Sequence, residues 1–262
     1  MVASVLTSDE ITSFEKLGYV RLSQAFSPES ALMMQDFMWD ELKRAAGIDR
    51  ADRSTWTNPW QGLSKIGRHN KFKGVGSPRM YGAIDQLLGQ GAWREPKGWG
   101  GFLITPPQGT DKSWDIAKDW HWDGDPGHHV DGLSGLSIFT FYSHVKPRGG
   151  GTLIVEGSHR LVMSFFHNLV PNHLGRKRKG LIRAFSQSHP WLTELTGHMP
   201  DSHDRVRRFV EEKTVIDDVA VRVVELTGEP GDAVICHPAI YHSSSYNCSN
   251  VTRFMRTGGV KR

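Results

Sequence analysis

The chain has 262 residues and a formal net charge of +4; 38% of its residues are hydrophobic and 23% are charged. This composition is typical of a globular protein, and the length suits one elaborated domain or two small ones. The sequence shows no apolar run of membrane-spanning length and neither a compact basic helix nor zinc-finger spacing, so we expect neither membrane insertion nor nucleic-acid binding. Two cysteines cannot form a disulfide framework, and the short apolar segment 1–6 lacks a basic start. We therefore expect a cytoplasmic protein without a signal peptide.

The first hundred residues favour helices. Segment 7–18 predicts a helix with a Thr or Ser cap and a terminating Gly, and 19–22 predicts a short strand. Segments 27–46 and 77–89 each begin with Ser-Pro, which favours a helix with proline in its first turn. The polar segment 48–76 lies between them and predicts a long loop, of the kind that is often functional or mobile.

The remainder favours short strands separated by Gly/Pro turns, at 99–104, 137–142, 152–155, 219–224 and 233–236. Segment 161–217 predicts no strand and two helical stretches, one starting at Pro190 and one capped by Asp201. Its basic run 176–179 is the part that we expect to be packed least. Helices followed by many short strands predict an α+β chain whose core is an all-β barrel or jelly roll.

These patterns suggest one domain, 1–262, with a helical support at 1–98. The core comprises 99–160 and 218–262, and it is interrupted by an insertion at 161–217. Because long connections gather at the mouths of barrels, we expect the insertion to act as a lid and, with the 48–76 loop, to select the substrate.

The sequence His121-Trp122-Asp123 indicates a metal site. A histidine and an aspartate two residues apart on a strand point to the same face. One more histidine completes a two-His-one-carboxylate triad, which suits non-haem Fe(II) and leaves coordination positions open. His237 and His242 both follow a Gly-Asp turn and a strand, and the pattern alone does not choose between them.

Several motifs in the same order resemble the phytanoyl-CoA dioxygenase-like family of Fe(II)/2-oxoglutarate oxygenases. They are the segment Thr7–Leu22, the His121-Trp122-Asp123 motif, Gly150–Leu153 with Gly157–Arg160, and the stretch from Gly231-Asp232 through His242 and Ser244 to Arg253. The resemblance covers most of the chain and is weak at 48–76 and 161–217. It implies a double-stranded β-helix, the cupin-like jelly roll, as the core.

The resemblance also implies the metal ligands. In this family the cosubstrate arginine follows the second histidine by eleven positions, which selects His242 with Arg253 (253 minus 242). His121, Asp123 and His242 are then the predicted iron ligands, and His237 is expected to be a hydrogen-bonded histidine at a strand end.

The cosubstrate residues follow from the same resemblance. Arg253 is expected to bind the distal carboxylate of 2-oxoglutarate, because guanidinium is a permanently charged bidentate donor. Its rival Arg256 is expected at the surface. Ser244 is expected to donate its hydroxyl to the same carboxylate, Gln108 to offer its amide, and Thr152 to line the cosubstrate pocket.

The implied reaction is the hydroxylation, or another oxidation, of an unactivated C–H bond in a small-molecule metabolite, with release of succinate and CO2. Its implied cofactors are Fe(II), 2-oxoglutarate and O2, with ascorbate as a reductant. A biosynthetic pathway and a monomer or homodimer are expected. The alternative is a non-catalytic metal-binding jelly roll, a sensor or binding protein, which would need the His/Asp cluster but not Arg253 or Ser244.

Overall fold

A computed structural model describes residues 4–57, 60–109, 113–123, 132–168, 177–199 and 204–262. Arg176 and Asp201, which figured in the predictions for the insertion, lie outside these ranges. Within them, none of the helices combines the length and apolar character needed to cross a membrane.

The expected N-terminal elements are confirmed. Helix α1 (Ser8–Leu17) begins with a capping box between Thr7 and Glu10 and ends at Gly18, whose φ of 83° favours glycine. Strand β1 (Tyr19–Leu22) follows. Helices α2 (Pro28–Ala46) and α3 (Pro78–Leu88) start with capping serines and a proline in the first turn.

The prediction of a plain loop at 48–76 is wrong. The described residues form three 3-10 helices, Arg53–Thr57, Leu63–Ile66 and Asn70–Val75. Aromatic side chains hold them: the rings of Trp56 and Trp60 each lie 5.6 Å from that of Trp39 on α2. The segment is ordered by packing between distant residues, which its polar composition does not reveal.

The remaining strands are β2 (Gly101–Thr105), β3 (Gly135–Phe141), β4 (Leu153–Glu156), β5 (Thr214–Ile216), β6 (Val219–Glu225), β7 (Ala233–Cys236), β8 (His242–Ser243) and β9 (Arg253–Lys261). They form a larger antiparallel sheet in the order β1-β7-β3-β9-β2 and a smaller one in the order β5-β6-β4-β8. Apolar side chains of both sheets, including Phe139 and Met255 of the larger and Ile154 of the smaller, form one core between them. This is the expected α+β jelly roll, because sequence-distant strands alternate within each sheet.

The outer faces of the two sheets are covered differently. Helices α1 to α3 and the 48–76 segment share a core with the outer face of the larger sheet. Helices α4 (Ser158–His167), α5 (Arg178–Ser186) and α6 (Pro190–Leu195) contribute to a core on the outer face of the smaller sheet. On β4, for example, Leu153 and Val155 face these helices, while Ile154 faces the inter-sheet core.

Two details of the insertion differ from expectation. Just before it, the motif Gly157–Arg160 contains the start of α4 at Ser158. The expectation of no strand in 161–217 is wrong for β5, which pairs with β6. Helix α5 was missed, because it starts inside the basic run 176–179 and lacks a side-chain cap. The described stretch Arg207–Glu211 forms a π-helical turn.

Candidate metal centre

His121 and His242 face each other across an isolated antiparallel bridge. Each backbone N–H donates to the other's carbonyl, at 2.9 and 2.8 Å. Directly paired residues on antiparallel strands carry their side chains on the same face, and here the two ring centroids are 4.4 Å apart. Long-range strand pairing therefore brings two imidazoles together from positions 121 residues apart (242 minus 121).

A backbone carbonyl orients each imidazole. Nδ1 of His121 lies 3.1 Å from the Asp119 carbonyl, and Nδ1 of His242 lies 3.0 Å from that of Ile240. A carbonyl only accepts, so each Nδ1 carries the proton and each Nε2 presents a lone pair. Burial, followed by the nearby His121, lowers the pKa of His242, which favours the neutral form that binds metal.

Asp123 completes the cluster from the position two residues after His121. One of its oxygens, Oδ2, lies 3.6 Å from Nε2 of His242. The ligand atoms of His121, Asp123 and His242 all lie within 4.8 Å of one another, and no other such group occurs in the described parts of the chain. His242 is buried and Asp123 is 49% exposed, so one side of the cluster is covered by protein and the other is accessible to solvent. This arrangement can hold one divalent cation and leave room for exogenous ligands.

His237, the other candidate for the third ligand, lies outside this cluster. Its Nδ1 accepts from the backbone N–H of Ala239 at 3.1 Å, and its ring centroid is 5.0 Å from that of His159. It is the hydrogen-bonded strand-end histidine that was expected.

Arg253 starts β9 and is buried. Met255, two residues later, belongs to the inter-sheet core, so alternation directs Arg253 to the same side. Phe139 of that core meets the His242 ring edge-on at a centroid distance of 6.0 Å, so this interior is next to the candidate metal ligands. Nη1 of Arg253 donates to the Gly150 carbonyl, but its buried Nε has no partner. Burial lowers the pKa of Arg253 to about 10, against the opposing effect of Glu225.

The turn before β4 holds Arg253 in place. The carboxylate of Glu225 accepts from the backbone N–H groups of Arg148 and Gly151, at 2.6 and 2.8 Å. Burial is the main reason that the pKa of Glu225 is raised. A Cβ at Gly151 would lie 2.2 Å from the Leu226 carbonyl oxygen, so this close approach requires glycine. The glycine run thus lies between the half-buried carboxylate of Glu225 and the buried guanidinium of Arg253.

The other predicted cosubstrate residues lie at different depths. Ser244, two residues after His242, is exposed, whereas Thr152 is buried, and its carbonyl accepts from Leu226. Gln108 is exposed, and its amide oxygen accepts from the Asn247 N–H at 3.0 Å, which leaves the amide nitrogen as its donor to a ligand. Their contacts with 2-oxoglutarate stay a prediction.

The expectation that Arg256 lies at the surface is wrong, because it is fully buried. Its position three residues after Arg253 directs it to the opposite face of β9. There its guanidinium lies between the rings of Phe72 and Phe102, 4.6 and 4.4 Å from their centroids, and Nη2 donates to the carbonyls of Gly67 and Gly100. Arg256 therefore stabilises the packing of the 48–76 segment against the larger sheet.

Sequence reasoning missed two residues beside the triad. Asp119 orients His121 through its carbonyl and accepts from the Ser243 hydroxyl through its side chain at 2.8 Å. Arg178 of α5 donates to the Trp122 carbonyl and lies 3.5 Å from Asp123. No local sequence signal identified Asp119, because its contact with His121 uses a backbone carbonyl, which every residue has. No local signal existed for Arg178.

A jelly roll that carries two histidines and one carboxylate at its open side, with a buried arginine in its interior, defines the class of non-haem metal proteins with a facial triad. Comparison with known families gives the same class. Residues 14–255 match the family described as phytanoyl-CoA dioxygenase (PhyH), and the chain belongs to that family.

Among curated proteins, L-proline trans-4-hydroxylase from Streptomyces griseoviridis is 26% identical over 181 residues. The match covers 66% of this chain and 55% of that enzyme, so the chain spans about half the length of this relative.

Solved structures show the same fold at low sequence identity. EctD from S. alaskensis with bound Fe has a TM-score of 0.53 and 15% identity, covering 100% of this chain and 78% of its own. The non-heme monooxygenase ThoJ, as a Ni complex, has a TM-score of 0.51 and 14% identity, and the match covers 97% of this chain and 77% of that chain. SnoK, a non-heme alpha ketoglutarate dependent carbocyclase from nogalamycin biosynthesis, has a TM-score of 0.50 and 15% identity, and the match covers 98% of this chain and 84% of that chain.

Proposed function

We propose that this protein is an Fe(II)- and 2-oxoglutarate-dependent dioxygenase that hydroxylates a C–H bond of a small molecule. The observation that carries the proposal is the convergence of His121, Asp123 and His242, whose ligand atoms lie within 4.8 Å of one another. Family membership supports the same activity.

The donor set fits iron(II). Two imidazoles with Nδ1 held by carbonyls present Nε2, and one carboxylate supplies a negative charge, which together suit Fe(II) rather than the thiolate-rich sites of soft metals. Bound iron would supply the O2-dependent oxidation of the substrate C–H bond, coupled to decarboxylation of 2-oxoglutarate to succinate and CO2. The protein's own part is ligation, orientation and exclusion of water.

Arg253 supports an enzyme over a metal-binding protein without activity. Its guanidinium is buried on the side of the inter-sheet core that meets His242, and its Nε has no partner there. A dicarboxylate such as 2-oxoglutarate would supply an anion to this buried charge. We assign the distal carboxylate to Arg253, with Ser244 and Gln108 as further donors and Thr152 in the wall of the pocket. The apolar inter-sheet core beside His242, including Phe139, would keep water from the reacting centre.

The substrate class is the finer part of the proposal. The named relative acts on L-proline, and a solved EctD structure contains 5-hydroxyectoine with 2-oxoglutarate. Both support hydroxylation of a small polar metabolite as the first reaction to test, and we place that reaction in a biosynthetic pathway. Free amino acids, with L-proline among them, are the natural start of a substrate panel.

The test is O2 consumption and succinate formation by the full chain with Fe(II) and 2-oxoglutarate, with ascorbate present, with and without each member of the panel. We expect slow uncoupled turnover without substrate and a faster, product-forming rate with the correct one. A protein that binds iron but never converts 2-oxoglutarate would contradict the enzyme and favour a sensor.

Two histidine variants make the assay specific. We expect His242→Ala to lose tight Fe(II) binding in anaerobic calorimetry, because it removes a proposed ligand. His237→Ala is the matched control and should retain most of the binding, since its ring lies outside the cluster. Tight iron binding by His242→Ala would refute the assigned triad.

A further inference from the structure

Arg178 brings the insertion into contact with the candidate metal ligands. It is the first residue of α5, in the 161–217 insertion, yet Nη2 of its guanidinium donates to the carbonyl of Trp122, between the two ligands of the motif. The same nitrogen lies 3.5 Å from Oδ1 of Asp123. The basic run 176–179, expected to be the least packed part of the insertion, therefore contains a residue that reaches the site.

The two oxygens of Asp123 have different neighbours. Oδ1 faces Arg178 at 3.5 Å, while Oδ2 faces Nε2 of His242 at 3.6 Å. A carboxylate with one oxygen beside a guanidinium presents the other oxygen toward the histidines. That geometry suits a carboxylate that binds a metal through a single oxygen and leaves the remaining positions for other ligands.

The contact between Arg178 and Asp123 is too exposed to add much to stability, which leaves orientation of the carboxylate as its effect. Arg178 and Asp123 are 48% and 49% exposed, and ion pairs of such exposure contribute little to folding. Partners that orient a metal ligand, by contrast, change metal affinity strongly when they are removed.

The insertion also fixes the residue between the ligands. The Trp122 side chain is buried and meets the rings of Phe166 on α4 and Phe185 on α5, at centroid distances of 5.7 and 5.6 Å. Trp122 is thus held from two directions, through its ring by packing and through its carbonyl by Arg178. Since Asp123 is the next residue, the insertion limits where its carboxylate can lie.

We propose that Arg178 is a positioning residue of the metal site, which holds Asp123 so that Oδ2 alone serves as a ligand. The inference rests on the proposed function, because it concerns one of the proposed iron ligands. It assigns the insertion a part in building the metal site, in addition to any part in admitting substrate.

The experiment titrates the metal-free full chain with Co²⁺ and records both affinity and the visible spectrum of the bound ion. We expect Arg178→Ala to weaken Co²⁺ binding about 10- to 100-fold and to alter the spectrum, because a freed carboxylate changes the coordination. Lys179→Ala is the matched control: it removes one positive charge from the same helical turn and should bind like the unchanged protein. Arg178→Lys, which keeps the charge but loses the guanidinium fork, should give an intermediate affinity.

A double-mutant cycle separates positioning from a general effect. In the Asp123→Ala background, Arg178→Ala should cause no further loss, because Arg178 acts through that carboxylate. Equal losses in both backgrounds, or an unchanged affinity and spectrum for both Arg178 variants, would overturn the inference. Failure of the unchanged protein to bind Co²⁺, or of Asp123→Ala to weaken binding, would instead count against the proposed metal site itself.

Discussion

At the scale of single residues, the two buried arginines of β9 show how alternation along a strand divides roles. Arg253 and Arg256 are three residues apart, so they face opposite sides of the larger sheet. Arg253 lies toward the inter-sheet core that meets His242, whereas Arg256 lies between two phenylalanine rings and donates to two carbonyls. Both have buried nitrogens without a hydrogen-bond partner, Nε in Arg253 and Nε and Nη1 in Arg256, so their positions distinguish them. The first environment suits an anionic ligand, and the second suits packing.

Alanine substitutions of the two arginines should therefore have different effects. We expect Arg253→Ala to weaken 2-oxoglutarate binding by about 3 kcal/mol, the cost of a lost charge-assisted pair, with little effect on iron affinity. Arg256→Ala should leave the affinity for 2-oxoglutarate nearly unchanged and lower the free energy of unfolding by about 3 kcal/mol, through lost ring stacking and hydrogen bonds. Anaerobic calorimetry and urea unfolding measure the two effects. A 2-oxoglutarate defect in Arg256→Ala alone would contradict the assignment.

At the scale of elements, the described parts of the insertion form a packed layer over the smaller sheet. Trp191, Leu192 and Leu195 of α6 are buried there with Phe185 of α5 and Phe209. Its two ends join the strands of that sheet, because α4 follows β4 and β5 pairs with β6. Closure of the insertion over the barrel mouth stays a prediction, and the contact of Arg178 with Asp123 identifies the start of α5 as the part to examine.

Hydrogen exchange distinguishes the packed part of the insertion from a lid. We expect α6 to exchange slowly without any ligand, because its apolar side is already buried. Residues at the start of α5 should become more protected when substrate is added to the protein with metal and 2-oxoglutarate. Protection that instead follows protein concentration would indicate a subunit interface, and uniformly fast exchange of α6 would contradict the packed layer.

At the scale of the whole molecule, a corner at Gly18 joins the N-terminal helix to both sheets. The Gly18 carbonyl accepts from His237 after β7, and the Leu17 carbonyl accepts from Gly157 after β4, each at 2.8 Å. His159 of α4 adds a bond from its Nε2 to the Glu15 carbonyl at 3.0 Å. Burial, with a smaller effect of Arg160, lowers the pKa of His159 to about 4.

This buried histidine predicts a pH dependence of global stability. Because the pKa of His159 is lower in the folded state, the unfolded chain binds the extra proton, and stability falls as the pH drops from about 6.5 toward 4. We expect the unchanged protein to lose about 2 kcal/mol more between pH 7 and pH 5 than His159→Gln, which keeps a donor without the titration. Chemical unfolding at the two pH values measures this difference.

A matched control is His167→Gln, which alters an exposed histidine at the end of the same helix. It should follow the unchanged protein at both pH values. If the stability of His159→Gln changed with pH as that of the unchanged protein does, protonation of His159 would not be linked to global stability.

The sequence by itself determined the features that depend on a few neighbouring residues. Capping residues and the prolines after Ser27 and Ser77 set the starts of the first helices. The spacing of His121 and Asp123 predicted that both reach one site, and they do, although the predicted strand there is reduced to an isolated bridge at His121 and a bend at Asp123. The resemblance between ordered motifs extended this to the family and the fold, which the comparisons show.

Only the tertiary structure decided which distant residues meet. The bridge between His121 and His242 leaves His237 outside the cluster, and no local pattern encodes that pairing. The burial of Arg256 depends on the 48–76 segment folding over it, and the contact of Arg178 with Asp123 joins positions 55 residues apart (178 minus 123). Capping and periodicity act within one or two turns of chain, whereas these contacts depend on how whole layers pack, and that free energy is shared among many residues.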